Sequence, residues 1–120
     1  MDARLIVAAL ILTIATGSST AADNVLSPGE IKTTFGTGKP FTAVTRSGGK
    51  AYWLTLKPDG SAVDVPKGKK GGSTSGIWDL SARGYCKWGG SRAHCYTVDK
   101  NGSHYQVRDR AGYLISKWTP

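Results

Sequence analysis

Hydrophobic and polar residues alternate in short runs from Pro40 to the C-terminus, and turn-forming residues separate the runs. Such alternation over four to eight residues is typical of half-buried β-strands. The pattern predicts strands near residues 40–46, 50–57, 61–65, 75–82, 84–89, 92–99, 103–109 and 112–118. Strands at this spacing indicate an all-β fold, a small antiparallel meander barrel or sandwich of seven to eight strands.

The hairpin around Asn101-Gly102 can be tested against its own turn chemistry. A two-residue type I′ turn at this dipeptide fixes which residues of the two strands face each other. The predicted cross-strand partners are Val98 with Tyr105 and Tyr96 with Val107. All four side chains then lie on one face of the hairpin, which is the pattern of a strand pair packed on a core.

A second turn, at residues 58–60, gives conflicting signals. Proline before Asp59 suits a type I turn with Gly60 in a bulge. That register places the leucines of the preceding strand beside Ala62 and Asp64, whereas hydrophobic alternation favours Val63 and Val65. The register of this hairpin therefore stays open.

A short helix is predicted before the first strand. Ser27 suits the N-cap, Pro28 the first helical position and Glu30 the third residue after the cap. The helix continues to about Phe35 and a glycine ends it. Because a helix of this length is marginal in water, we expect Ile31 and Phe35 to pack on the β domain.

The N-terminus has the three regions of a secretory signal peptide. Arg4 precedes an apolar run over residues 5–15, and small polar residues lead to Ala21-Ala22. The run is shorter than the about 20 residues that span a bilayer, so we do not expect a membrane anchor. We predict a signal peptide over residues 1–22, cut before Ala22 or Asp23, and a single β domain over residues 23–120. The protein is then exported, to the periplasm or the medium.

Cys86 and Cys95 are the 2 cysteines of the chain. Because exported proteins with two thiols usually join them, we predict a disulfide between neighbouring strands. The alternative is a metal site that includes His94, but the spacing matches no short-spaced zinc pattern. We expect neither a metal nor a cofactor.

Three tryptophan and cysteine motifs carry a resemblance to a known group of proteins. They are G-x-W at residues 76–78, C-x-W at residues 86–88 and C-aromatic-x-V at residues 95–98. Over roughly residues 26–115, the chain resembles small secreted proteobacterial proteins that have these motifs on successive strands and no known function. The resemblance implies a periplasmic or secreted β domain with a short leading helix, and it implies no catalytic residue.

Residues that could support catalysis are few. In the predicted register His104 lies opposite Asp99 and His94 opposite Asp109, but the two histidines project to opposite faces of the sheet. No serine lies in a G-x-S-x-G turn, and Asp79 has no second acid beside it in the sequence. We therefore predict that the protein is not an enzyme.

Positive charge is the strongest functional signal of the chain, whose formal net charge is +8. A charge of this size favours polyanionic partners. Lys67, Lys69 and Lys70 form a basic loop without hydrophobic residues, while Tyr85 and Trp88 beside Lys87 and Arg92 could form an aromatic platform with basic neighbours. The 4 tryptophans are otherwise candidates for the core.

The leading hypothesis is a non-enzymatic binding module of the cell envelope or the extracellular space. Its expected partners are an anionic glycan, a lipid or an acidic protein, and we do not expect nucleic acid because the protein is exported. One alternative is an inhibitor of an exported hydrolase, for which an acidic protease suits the charge better than a basic lysozyme. Another is a small-ligand carrier, which an interior filled with tryptophan and tyrosine would not permit.

Overall fold

Eight antiparallel strands form a closed barrel in the computed structural model, which describes residues 24–68 and 72–120. The elements are α1 (Pro28–Thr34), β1 (Phe41–Thr45), β2 (Ala51–Leu56), β3 (Ser61–Pro66), β4 (Thr74–Leu80), β5 (Tyr85–Gly89), β6 (Arg92–Asn101), β7 (His104–Arg108) and β8 (Leu114–Thr119). Each strand pairs with the next along the chain, and β8 pairs with β1. The predicted all-β meander is confirmed, and of the two predicted forms, barrel or sandwich, it is the barrel that is observed. The predicted signal peptide lies outside the described residues.

Helix α1 begins as its sequence predicts. The Ser27 hydroxyl accepts a hydrogen bond from the Glu30 amide at 3.2 Å, and the Ser27 amide donates to the Glu30 carboxylate at 2.9 Å. This reciprocal capping satisfies amides that the first turn leaves without partners. Ile31 and Phe35 are almost fully buried, so the expected packing of the helix on the domain is confirmed.

The helix closes one end of the barrel with an aromatic cluster. The ring of Phe35 lies 4.7 Å from that of Phe41 and 4.9 Å from those of Tyr105 and Trp118, measured between ring centroids. Side chains from alternate strand positions complete this core, because successive residues of a strand point to opposite faces. The other buried hydrophobic residues include Ala43, Leu54, Leu56, Ala62, Trp78, Tyr85, Val98 and Val107.

Turn chemistry decides the register of the β2–β3 hairpin. Gly60 has a φ of 94°, a left-handed conformation that favours glycine. Leu56 then pairs with Ala62 and Leu54 with Asp64, which leaves the valines of β3 on the outside. The register suggested by the turn is confirmed, and hydrophobic alternation is misleading here because β3 places a charged residue inside the barrel.

The β6–β7 hairpin differs from the prediction by two residues. Asn101 pairs with His104 and Val98 with Val107, so the turn is Gly102-Ser103 rather than Asn101-Gly102. Gly102 has a φ of 66°, while Asn101 keeps a negative φ as the last residue of β6. Glycine at the first turn position is typical of a type II′ turn. Since the shift is even, the four predicted core residues still share one face.

The disulfide forms as predicted. Cys86 and Cys95 are directly opposite each other on β5 and β6 and are joined through their sulfurs. The connecting turn is Gly90-Ser91, in which Gly90 has a φ of 72°. The bridge therefore joins neighbouring strands, and neither sulfur is free to bind a metal.

Candidate anion-binding surface

Cations collect at the end of the barrel that faces away from helix α1. Because neighbouring strands run in opposite directions, the connections after β1, β3, β5 and β7 emerge at the same end. We call the cationic residues in or next to these connections the basic end, apart from Arg108, which is paired with Asp99; they are Arg46, Lys50, Lys67, Lys69, Lys70, Arg92 and Arg110. Lys69 and Lys70 belong to it by sequence and lie outside the described residues. The fold therefore places Lys67 of the predicted lysine loop at the same end of the barrel as cations from the other connections.

Acidic residues are distributed differently. Glu30 lies in the first turn of helix α1, and Asp59 lies in the β2–β3 turn at the same end of the barrel. The folded state lowers the pKa of both carboxyls: Glu30 accepts hydrogen bonds from the backbone and side chain of Ser27, and Asp59 accepts them from Ser61. The helix end also carries the exposed Lys32, Lys39 and Lys57, and the described connections of the basic end contain one acid, Asp109. The two ends therefore differ in their excess of cations over acids, which is larger at the basic end.

Lys67 is held against an exposed aromatic ring. Its ammonium lies 3.9 Å from the centroid of the Trp53 ring, and it donates a hydrogen bond to the Thr42 hydroxyl at 2.8 Å. Trp53 is 45% exposed and pairs with Val65, which is 37% exposed. A cation over the face of an indole is attracted by the ring quadrupole. This pair places an aromatic surface directly beside the basic end.

Two of the predicted site residues lie in the interior instead. Tyr85 is 4% exposed, and its ring centroid lies 5.3 Å from that of Trp118, so it belongs to the core and not to a surface platform. Lys87 also points inward, where its ammonium contacts both carboxylate oxygens of Asp64 at 2.8 Å. The predicted platform of Tyr85, Trp88, Lys87 and Arg92 is therefore not formed.

The remaining two members of that platform are separated as well. Arg92 is exposed at the start of β6 and contributes to the basic end. Trp88 is half-buried on the outer surface opposite Ile77, which is 61% exposed. Trp88 lines an open groove of about 520 Å³ together with Asp59 and Asp79. Acidic rather than basic side chains are thus its polar neighbours in this groove.

The tryptophans divide evenly between core and surface. Trp78 and Trp118 are buried, and the Trp78 indole donates a hydrogen bond to the Lys57 carbonyl at 2.8 Å. Trp53 and Trp88 lie on the outer face of the barrel. The exposure of Trp53 could have been predicted from the β2–β3 turn. The register that this turn favours places Leu54 inside the barrel, and the neighbouring Trp53 then lies outside.

The histidines do not form the carboxylate pairs expected from the sequence. His104 lies opposite Asn101, and Asp99 accepts a hydrogen bond from Arg108 at 3.1 Å instead. His94 lies opposite Lys87. The two-residue shift in register explains the difference at His104, and His94 has no partner on β7 because the β6–β7 ladder begins at Thr97. Within residues 24–68 and 72–120, no group of three or more His, Cys, Asp and Glu side chains is arranged to hold a metal ion.

Comparisons with known proteins find no relatives: no protein-family model matches the chain, and the curated proteins and solved structures contain no significant match. In the described part of the chain, no helix is long and apolar enough to cross a membrane.

Proposed function

We propose that this protein is an exported, non-enzymatic binding module that contacts anionic partners of the cell envelope or the extracellular space through its basic end. The observation that supports this function is the convergence of cations from four alternate connections at one end of the barrel. A clustered field of one sign attracts a polyanion more strongly than the same charge spread over a surface.

The partner class follows from the chemistry of this end. Lysine ammonium and arginine guanidinium groups bind phosphate and carboxylate oxygens, and Arg adds bidentate geometry. The exposed Trp53 ring beside Lys67 provides an apolar surface for a sugar ring or a lipid headgroup region. We therefore expect an anionic glycan or an anionic lipid surface as the partner.

Export is part of the proposal and rests on the N-terminal pattern together with the disulfide. Disulfides persist in oxidising compartments and are rare in the cytosol. The Cys86–Cys95 bridge is consistent with such a compartment. Detection of the processed protein outside the cytoplasm, with a new N-terminus at Ala22 or Asp23, would support export, and an unprocessed cytoplasmic protein would contradict it.

Binding can be tested with two matched triple variants. The first, K67Q/K69Q/K70Q, removes three charges from the basic end, and the second, K32Q/K39Q/K57Q, removes three exposed lysines from the helix end. The probes are phosphatidylglycerol vesicles and dextran sulfate, with phosphatidylcholine vesicles and dextran as uncharged controls. A lysine at an anionic surface contributes about 1 kcal/mol, so the first variant should bind the charged vesicles about 100-fold more weakly.

The second variant distinguishes the effect of charge at the basic end from the effect of the net charge of the protein. We expect it to bind within about threefold of the wild type, since its lysines face away from the bound surface. Wild-type binding should also weaken steeply as salt rises. An equal loss in both variants, or unchanged binding of the first variant at low salt, would contradict a binding surface at the basic end.

An inhibitor of an exported hydrolase is the second candidate, favoured by the exposure of Ile77 beside the β2–β3 turn. The buried core of a protein interface is apolar and enriched in aromatic residues, and Ile77 lies opposite the half-buried Trp88. A stoichiometric protein partner recovered from envelope extract, and retained at high salt, would favour inhibition over polymer binding. The carrier hypothesis draws no support from the interior, where Tyr85 and Trp118 are packed together.

A further inference from the structure

A cleft of about 510 Å³ lies on the side of the barrel, where two connections meet the middle of strand β6. Strand β6 is 10 residues long. β5 pairs only with its first half, up to Tyr96, and β7 pairs only with its second half, from Thr97. The β4–β5 and β7–β8 connections therefore reach the centre of β6 from opposite sides.

Both connections are fixed by their own hydrogen bonds. In the β4–β5 connection, the Gly84 amide donates to the Ser81 hydroxyl at 3.1 Å, and a Cβ at Gly84 would collide with the Tyr96 carbonyl oxygen. In the β7–β8 connection, the Asp109 carboxylate accepts hydrogen bonds from the Ala111 and Tyr113 amides, each at 3.0 Å. The walls of the cleft are thus ordered before any ligand binds, which lowers the entropic cost of binding.

Each wall contributes one exposed arginine, Arg83 from the β4–β5 connection and Arg110 from the β7–β8 connection. Among the described residues, the ion pairs are Lys87–Asp64 and Arg108–Asp99, so neither cleft arginine has a carboxylate partner there. Arg108 differs, because its guanidinium also donates to Gln106 and to the Gly112 carbonyl. Arg83 and Arg110 therefore have guanidinium donors to offer to a ligand.

The floor of the cleft is the middle of β6, where Thr97 lies on the outer face. Tyr96 lies on the core face, and its ring centroid is 5.3 Å from that of Tyr85. Burial, together with the nearby charge of Asp109, raises the pKa of the Tyr96 hydroxyl, so this group stays protonated at neutral pH. Asp109 also lines the cleft, but its Oδ1 accepts the two amide hydrogen bonds of its own turn. A ligand here would meet guanidinium donors on both walls and Thr97 between them, with the Asp109 carboxylate beside Arg110.

We propose that this cleft binds a small organic anion with a single carboxylate or phosphate group, which Arg83 and Arg110 hold from the two sides. A cleft of this volume falls within the range that accommodates small ligands. Arginine binds both kinds of oxyanion through paired N–H donors. This site goes beyond the proposed function, because it takes a monomeric acid at the side of the barrel rather than a polymer or membrane at its end.

The test is a titration of the purified, oxidised protein with glucuronate, glucose 6-phosphate and neutral glucose, followed by amide chemical shifts. We expect saturable binding of at least one acid, with shifts at Arg83, Tyr96, Thr97 and Arg110. The R83Q variant should bind that acid about tenfold more weakly, the loss expected for one charge-assisted contact. The K39Q variant removes one positive charge from an exposed position outside both the cleft and the basic end, and it should bind within about twofold of the wild type.

The two acids distinguish a carboxylate site from a phosphate site. Absence of saturable binding to either acid, equal binding of glucose, or unchanged binding in R83Q would each overturn the proposal. A circular dichroism spectrum of R83Q that matches the wild type would show that the variant is folded. A loss of binding would then reflect the lost contact between Arg83 and the ligand. Arg110 belongs to the basic end as well as to the cleft, whereas Arg83 comes from the helix-end side of the barrel. R83Q should therefore leave vesicle and dextran sulfate binding unchanged, which distinguishes failure of this site from failure of the basic end.

Discussion

The two halves of the barrel interior differ in chemistry. The half next to helix α1 is filled by the interlocking rings of Phe35, Phe41 and Trp118, which leave little contact with water. The other half contains the ion pair of Lys87 and Asp64, whose side chains are 27% and 30% exposed. Hydrophobic burial stabilises a fold far more than a partly exposed ion pair does. Most of the stability should therefore reside in the helix half.

This division has a consequence for the basic end. Like charges that lie close together repel each other and destabilise a compact state. A barrel that is closed by a ring of hydrogen-bonded strands and anchored by aromatic packing at one end tolerates that repulsion at the other. The aromatic packing that stabilises the barrel and the proposed binding surface therefore lie at opposite ends.

The largest expected effect is the loss of the aromatic anchor. F35A removes a ring that is 1% exposed, and we expect it to lower the free energy of unfolding by about 3 to 5 kcal/mol, through lost burial and the cavity that remains. Y113A is the matched control, because it removes a ring that is 71% exposed in the β7–β8 connection. That change should cost less than about 0.5 kcal/mol.

Urea unfolding of the two variants and the wild type measures both values. Similar losses in F35A and Y113A would contradict the assignment of stability to the helix half. A loss below about 1 kcal/mol in F35A would also contradict it, since a well-packed buried ring cannot be removed at so low a cost.

An intermediate effect is expected at alkaline pH from Tyr85. Burial, followed by the charges of Tyr96 and Asp64, raises the pKa of this hydroxyl well above its ordinary value of 10.0. Above pH 10 the unfolded chain releases the proton while the folded protein retains it, so the free energy of unfolding falls by up to about 1.4 kcal/mol per pH unit. Below pH 10 this contribution is fully present.

The Y85F variant keeps the ring and removes the titrating group. Its stability should fall less steeply than that of the wild type as pH rises above 10, and urea unfolding at a series of pH values measures the difference. Parallel pH dependence in the two proteins would show that Tyr85 titrates normally. It would then lie in a wetter part of the barrel than its burial indicates.

The sequence predicted the fold well because its signals are local. The capping box at Ser27, the cysteines on either side of the Gly90-Ser91 turn and the alternation within each strand all act over a few residues. Turn chemistry was also the better guide to the β2–β3 register. At the β6–β7 hairpin it failed because Gly102 suits either of two turn positions, and only the pairing of whole strands chooses between them.

The candidate sites were harder to predict because they depend on distant contacts. Lys87 and Asp64 are 23 residues apart in sequence, so neither residue shows locally that it points inward. Strand alternation already places Tyr85 and Trp88 on opposite faces of β5, but which of the two faces inward depends on the part of the barrel that covers the strand. The cleft between Arg83 and Arg110 forms because β5 and β7 pair with different halves of β6. The sequence carries no short-range signal for this offset.

The smallest expected effect is the coupling free energy between Lys87 and Asp64, the ion pair in the half of the barrel interior away from helix α1. K87M leaves the Asp64 carboxylate without its partner in a partly enclosed site, and D64N leaves the Lys87 ammonium in the same position. A double-mutant cycle with K87M, D64N and the combined variant should give a coupling of about 1 kcal/mol from urea unfolding, and less at high salt. A coupling near zero would mean that the pair is solvated like a surface pair. A coupling well above about 3 kcal/mol would instead make this half of the barrel as important for stability as the aromatic half, and the proposed division between a stabilising end and a binding end would not hold.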